Sequence, residues 1–491
     1  MTRGTSPAEP RRWTGADTLA LSVLLLAALA VRVWLARQNS GLTMDSPLYV
    51  RMAEDLLAHR RGPSPAHHGY PILVAIASLL GPGRELPGRV VSMVASLVLV
   101  ALLWVVARRR TGPAMALLPA SLVAFHPLLA IYGGAIMTES TFLALAFAGV
   151  ALLDAGRARW GGSLLGASWW VRPEAALVAP LAALFAPLPW RGRMAALLLA
   201  ACVALPYSLV LRVEQGHWSL TPKSVLVRAP FANARAAEWR LADSTAFADS
   251  VGVGARLVRD GGSILRAYPG RLLDQARALV DAWTWPLLLL TALGLALPAG
   301  RGPWLAFGVL PLVYPLLSGP ADLRFAQLVV PALALPIVSF VSPRGPLRAI
   351  ARALAVAATL LGVALLWLGR PAERALAFDD GPMTAMRGAG AWLAQHAPRD
   401  AVVMDRKSYV AFFADRRHMQ LPDEPLDRLL DYARTSGATY LVVEEYVVRG
   451  LRPQLAPLLR PDGARGDPRA RLVFAARPAP GEGVAVFEIV R

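Results

Sequence analysis

Cysteine is nearly absent. Cys202 stands alone among 491 residues, which excludes an intrachain disulfide and leaves one quiet thiol inside the apolar run 195–211. Charge is sparse as well. Only 17% of residues are charged against 55% hydrophobic, with mean hydropathy +0.45, too apolar for a soluble domain. The chain has no Walker or Rossmann glycine pattern and no Gly-x-Ser-x-Gly, so nucleotide hydrolysis and serine-hydrolase chemistry have no support. His59, His67 and His68 cluster without a His-Glu-x-x-His or cysteine pattern, which favours interfacial or substrate-lining histidines over a zinc site.

What is abundant is basic charge in one part of the chain. Net charge is +18; residues 370–491 hold 18 Arg/Lys against 16 Asp/Glu, and residues 1–369 hold 33 against 17. The excess therefore belongs to the apolar part. Membrane topology and anionic lipid headgroups explain it better than nucleic acid, for which no aromatic–basic reading surface is visible.

Apolar runs near 19–36, 87–107, 113–131, 135–153, 161–172, 174–188, 194–212, 281–299, 303–318, 324–341 and 348–368 predict about 11 transmembrane helices. The first follows Arg3, Arg11 and Arg12 and precedes Arg32 and Arg37 rather than a small-residue cleavage site, so it reads as a retained span. Alternation puts Arg108–Arg110, Arg157, Arg159, Arg191, Arg193, Arg301, Arg344 and Arg348 on the cytoplasmic side with the N-terminus, as the positive-inside rule expects. Two outer segments are long. Residues 37–86 carry a surface helix over 49–59 and a short interfacial one over 72–80, while 213–280 is mixed in charge and partly amphipathic. Composition changes after residue 369. Helices over 383–395 and 425–436, strands over 401–404, 439–443, 471–475 and 484–490, and a turn at 478–483 predict a small α/β domain over 370–491. An odd span count places it outside. The expected class is a polytopic α-helical membrane protein, residues 1–369, with a C-terminal extracytoplasmic α/β domain.

The polar candidates gather on that outer side. Asp45, in Thr43-Met44-Asp45-Ser46-Pro47-Leu48-Tyr49, is either the N-cap of a helix begun by Pro47 or a general base, with Tyr49 one turn later. Glu139 lies at the outer edge of the fourth span, where a carboxylate is costly, and makes a catalytic pair with Asp45. The pair leaves room for a divalent ion, although no cofactor or metal is otherwise called for. Arg172, in Arg172-Pro173-Glu174, either pairs with Glu174 or binds a phosphate; Arg324, beside Asp322, admits the same two readings. His67, His68 and Tyr70, in His67-His68-Gly69-Tyr70-Pro71, are candidate cavity residues.

Asp45-x-x-x-Tyr49, then Gly69-Tyr70-Pro71, Thr138-Glu139-Ser140 and Arg172-Pro173-Glu174, in this order and topology, resemble the GT-C glycosyltransferases. The likeness is to the branch holding protein O-mannosyltransferases and the lipid A aminoarabinose transferase, and covers residues 15–345 in layout. The resemblance implies a GT-C-like fold in the cell (inner) membrane. It also implies a polyprenyl-phosphate-linked sugar as donor, an acceptor protein, glycan or lipid, and inverting transfer with Asp45 as catalytic carboxylate. Arg172 would stabilise the departing phosphate. This chain departs from the aminoarabinose-transferase pattern with Leu48 before the tyrosine, where an arginine is expected, and with Arg172 where a lysine occurs, which leaves Arg324 or Arg228 as further phosphate ligands. The competing class is a membrane transporter or a non-catalytic lipid-binding membrane protein. A transporter would show polar groups at mid-membrane and repeated halves, and neither is visible.

Overall fold

A computed structural model describes residues 12–43, 45–60, 66–81, 83–215, 218, 221–222, 253–297, 300–317, 323–341, 348–378, 383–459 and 467–490. Arg228, Asp322 and Arg344 lie outside the described residues, as does much of 213–280. Each apolar run named above folds as helix in the described residues. Their lengths differ. Five helices are long and apolar enough to cross a bilayer alone, among them Gly15–Gln38 and Leu86–Thr111, and the number rises to seven when two bent pairs are each taken as one span. Three of the shorter helices carry proline internally, at Pro119, Pro180 and Pro315, and each one deletes a backbone donor.

Helix α1 (Gly15–Gln38) opens with a capping box between Thr14 and Asp17. The Asp17 carboxylate also receives Nε and Nη2 of Arg108 at 2.7 and 2.8 Å, which ties the start of α1 to the end of α4 (Leu86–Thr111). Between them lie α2 (Ser46–Leu57) and α3 (Gly69–Ser78), the two short helices expected in the first outer segment. Helix α4 is built inside out relative to a soluble helix. Leu86, Val90, Val94 and Val98 are exposed along one stripe while Gly88, Ser92 and Ser96 face the bundle, an arrangement suited to lipid on one side and close packing on the other.

Helices α5 (Pro113–Phe125) and α6 (Pro127–Gly134) meet at a 61° bend. Pro127 stops the first helix, and its freed carbonyls find side-chain donors: Arg32 Nη1 binds Ala124 O at 2.9 Å and Trp367 Nε1 binds Phe125 O at 2.9 Å. Helices α7 (Glu139–Asp154), α8 (Ala158–Trp169), α9 (Ala175–Phe185) and α10 (Trp190–Gln215) follow. The arginines of the short loops, Arg108–Arg110, Arg157, Arg159, Arg191, Arg193 and Arg301, share one end of the bundle. Exposed Trp13, Trp160 and Trp190 accompany them, as expected at a lipid–water boundary.

After the helix Arg348–Leu368 the chain forms a five-stranded sheet of order β2-β1-β3-β5-β4. β1 (Val402–Asp405) lies parallel to β2 (Arg417–Gln420) and β3 (Tyr440–Glu444), and β5 (Val484–Ile489) runs antiparallel to β3 and β4 (Ala470–Ala476). Four strands, both helices and the turn coincide with expectation. Not anticipated were the short helices Arg370–Leu376, Tyr409–Phe413 and Glu445–Gly450 and, among the strands, β2: Arg-His-Met-Gln has no apolar alternation, and as an edge strand it needs none. The sheet unit sits on α2 and the loop before α4. Arg51 Nη2 reaches Arg416 O at 2.7 Å, Arg84 Nη1 reaches Phe412 O at 2.7 Å, and Arg387 pairs with Glu85 at 2.9 Å.

Glu444, at the end of β3, is buried, and burial, reinforced by the charge of Asp405, pushes its carboxyl from an ordinary 4.5 up to about 8. The folded state therefore holds a proton that the unfolded chain has released above pH 4.5, so this group's contribution to stability declines as pH rises from about 4.5 to about 8 and is level beyond. Glu444→Gln is expected to raise the thermal midpoint at pH 8 and to flatten its decline between pH 5 and 8, read by calorimetry of the purified protein. An unchanged slope would remove Glu444 as its source.

Candidate active site

Two loops far apart in sequence are stitched together beside the bundle. Ile136 N–H donates to Gly41 O at 3.2 Å, Ser46 Oγ donates to Ile136 O at 3.0 Å, and Ser92 Oγ donates to Met137 O at 3.1 Å. Gly88 permits the approach, since a Cβ there would stand 2.7 Å from Ile136 Cγ2. The stitching sets the first residue of α7 beside the residue that precedes α2. Asp45 occupies the N-cap position of α2 but makes no side-chain cap; Thr43 N–H donates instead to Ser46 Oγ at 2.9 Å. The capping reading of Asp45 thus falls away, and its carboxylate is turned to a different partner.

That partner is Arg324. Its Nη2 lies 3.3 Å from Asp45 Oδ2, and its Nε donates to Glu139 Oε1 at 2.6 Å. Glu139 Oε1 also accepts from Arg172 Nη1 at 2.8 Å. Arg172 is engaged all round: Nη1 binds Thr138 Oγ1 at 3.0 Å, Nη2 binds Glu174 Oε1 at 2.6 Å and Nε reaches both Glu174 oxygens at 3.1 Å. Tyr314 closes the chain by donating to Glu174 Oε1 at 2.8 Å. The result is one network, Asp45–Arg324–Glu139–Arg172–Glu174–Tyr314, of three carboxylates and two guanidiniums. Accessibility grades along it. Side chains of Asp45 and Arg324 are 20% and 17% exposed, whereas Glu139 is 1% exposed. The open end is therefore Asp45 and Arg324, and Arg172 lies inside.

All four sequence-derived charged candidates meet here. The remaining candidates divide into two groups. Tyr49 and Tyr70 pack edge to face at 5.3 Å, with the Tyr70 hydroxyl donating to Gly88 O at 2.8 Å, so they line the stitched loops. His67 and His68 turn the other way. His67 Nδ1 donates to Trp169 O at 2.9 Å and its Nε2 meets Thr221 Oγ1 at 3.1 Å, while His68 Nε2 pairs with Glu214 at 3.2 Å beside the Tyr207 ring. Gly69 is the hinge between the two directions; a Cβ there would stand 2.7 Å from Trp170 O. Among the described residues no three His, Cys, Asp or Glu side chains gather as a metal site. Asp45 and Glu139 share the Arg324 guanidinium.

Sequence reasoning had named Glu174 only as a neutralising neighbour and missed Tyr314 and Gln327. Tyr314 is hidden in an apolar run between Val313 and Pro315. Gln327 stands one turn after Arg324, fully buried, with neither amide atom hydrogen-bonded among the described residues. A lone amide within an apolar span was its available signal.

No family model and no curated protein matches the chain. Solved structures do. ArnT from Cupriavidus metallidurans bound to undecaprenyl phosphate superposes with TM-score 0.54 at 11% identity, over 98% of this chain and 99% of that one. The Archaeoglobus fulgidus oligosaccharyltransferase superposes with TM-score 0.55 at 13% identity when tethered to an acceptor peptide, over 97% of this chain and 74% of that one. Its complex with Zn and sulfate gives 0.58 at 12% identity, over 95% and 72%. At these identities the likeness is one of fold: over 97–98% of its length, helices and terminal sheet included, this chain shares the fold of both proteins, the GT-C-like fold expected from the sequence.

Proposed function

We propose that the protein is an integral-membrane glycosyltransferase, moving a hexose or pentose from a polyprenyl-phosphate donor to a hydroxyl of an extracytoplasmic protein, glycan or lipid. The observation that carries this reading is the open end of the buried network, where a carboxylate and a guanidinium stand side by side at a helix end. Asp45 takes the proton of the acceptor hydroxyl as its oxygen attacks the anomeric carbon, and the bond from that carbon to the phosphate oxygen breaks with inversion. The lipid phosphate leaves as an anion and needs a cation rather than an acid.

Arg324 suits that task better than Arg172. Its 3.3 Å contact to Asp45 is the longest in the network and the easiest to exchange for a phosphate oxygen, while Glu139 anchors the guanidinium at 2.6 Å. Exchange would also release Asp45 to meet the acceptor. Arg172, saturated by Glu139, Thr138 and Glu174, is a positioning residue in this scheme. The crystal of ArnT with undecaprenyl phosphate and that of the oligosaccharyltransferase with an acceptor peptide support the two substrate classes. A divalent cation would sit at the Asp45 end, and the oligosaccharyltransferase crystallised with Zn supports testing one.

Three measurements bear on the scheme. Asp45→Asn should lower sugar transfer by roughly 10²–10⁴-fold in membranes supplied with a polyprenyl-phosphate sugar, because an amide cannot act as base; a rate within tenfold of wild type removes Asp45 from the mechanism. Arg324→Ala should weaken polyprenyl-phosphate binding at least tenfold with little change in thermal midpoint. Arg172→Ala and Glu174→Ala should instead lower the midpoint, since each strands a buried charge at a cost of about 3–5 kcal/mol. The opposite pattern would return the phosphate to Arg172. Finally, eleven crossings from a cytoplasmic N-terminus carry Asp45 and residues 370–491 to the outer face, so an export reporter fused after residue 369 should be active, and a cytoplasmic signal would defeat this topology.

A further inference from the structure

A cavity lies at the other end of the bundle. Helix α7 begins with Glu139 in the candidate active site and ends at Asp154, and its 16 residues rise about 24 Å. Around Asp154 is a cavity of about 700 Å³, lined by Arg110, Phe185, Pro187, Arg301, Leu305 and Val338, with Gly302 and Ser339 at its side. This is the arginine-rich end, at the level marked by exposed Trp160 and Trp190.

The two lining arginines differ. Arg110 Nη2 grips both Asp154 oxygens, at 2.8 and 2.7 Å, and its guanidinium lies over the Trp304 ring at 4.3 Å, so the pair is neutral and fixed. Arg301 is exposed, donates Nε to Leu295 O at 3.2 Å, and has no carboxylate partner among the described residues. The cavity thus presents apolar walls beneath one uncompensated cation, at an interface where anionic headgroups concentrate.

We propose that this cavity is a binding site for an anionic glycerophospholipid of the leaflet on the arginine-rich face. Arg301 takes the phosphate, and the first acyl carbons lie against Phe185, Leu305 and Val338. A basic pocket between membrane helices is the recurrent form of such sites, and an exposed guanidinium meets a phosphate by two parallel hydrogen bonds. The site is separate from Asp45 and Arg324 and takes no part in the transfer chemistry.

The test uses the full-length protein in detergent, delipidated and then titrated with phosphatidylglycerol, with phosphatidylethanolamine, or with inorganic phosphate. Bound lipid is counted by native mass spectrometry alongside the thermal midpoint. Wild type should retain phosphatidylglycerol and gain several degrees, with little response to the other two additives. Arg301→Glu should lower phosphatidylglycerol occupancy at least tenfold, and Leu305→Trp, which fills the cavity without touching its charge, should do the same. Equal retention by both variants overturns the proposal. So does an equal response to phosphatidylethanolamine, which would make charge irrelevant, or to inorganic phosphate, which would make the site one for a free anion.

Discussion

A carboxylate withdrawn from water is tolerable only where cations surround it, and Glu139 is the point at which this chain meets that condition. It is 1% exposed, at the first turn of α7, and a single oxygen accepts from both Arg172 and Arg324. Remove it and two guanidiniums face each other; remove Arg172 and the buried Glu174 loses its cation, while the loss of Arg324 still leaves Glu139 paired with Arg172. The turn at Arg172 and the helix starting at Leu323 meet at this one group, beside loops that their own hydrogen bonds at Gly41–Ile136 and Ser46–Ile136 hold together. Asp45 inherits its placement from that arrangement, not from the short helix that follows it.

Much of the layout was legible beforehand because hydropathy and turn chemistry are local. The apolar runs, the sheet's four patterned strands and the Arg172-Pro173-Glu174 turn followed from residues close together in sequence. Edge strand β2 escaped because its residues, Arg417 to Gln420, are half in solvent and owe their pairing to β1 alone. That the four charged candidates would lie together was legible, but their hierarchy was not. Nothing in the one-dimensional order says that Arg172 would be enclosed by Glu139, Thr138 and Glu174 while Arg324 stayed at the edge. That distinction depends on which loop packs inside which, a property of the tertiary structure. His67 and His68 illustrate the same limit: they adjoin Tyr70 in sequence, yet the close approach at Gly69 sends them toward Tyr207 and Glu214.

The two ends of the bundle now look like different chemical surfaces on one scaffold. At one, carboxylates outnumber guanidiniums and are held by them. At the other, arginines and exposed tryptophans mark the boundary with lipid, and Asp154, the only lining carboxylate among the described residues, is already neutralised. Helix α7 joins them directly, with an acid at each terminus.

The seam between the sheet unit and the helices has a feature with evolutionary weight. Arg51 and Arg84 reach across it to main-chain oxygens, those of Arg416 and Phe412. A carbonyl is present whatever side chain the residue bears. The appended unit can therefore change its surface, and with it whatever it touches beyond the membrane, without losing these two anchor points. Substitution on that side is buffered at these contacts, whereas on the helical side Arg51 and Arg84 carry the contact in their own side chains and have far less freedom to drift.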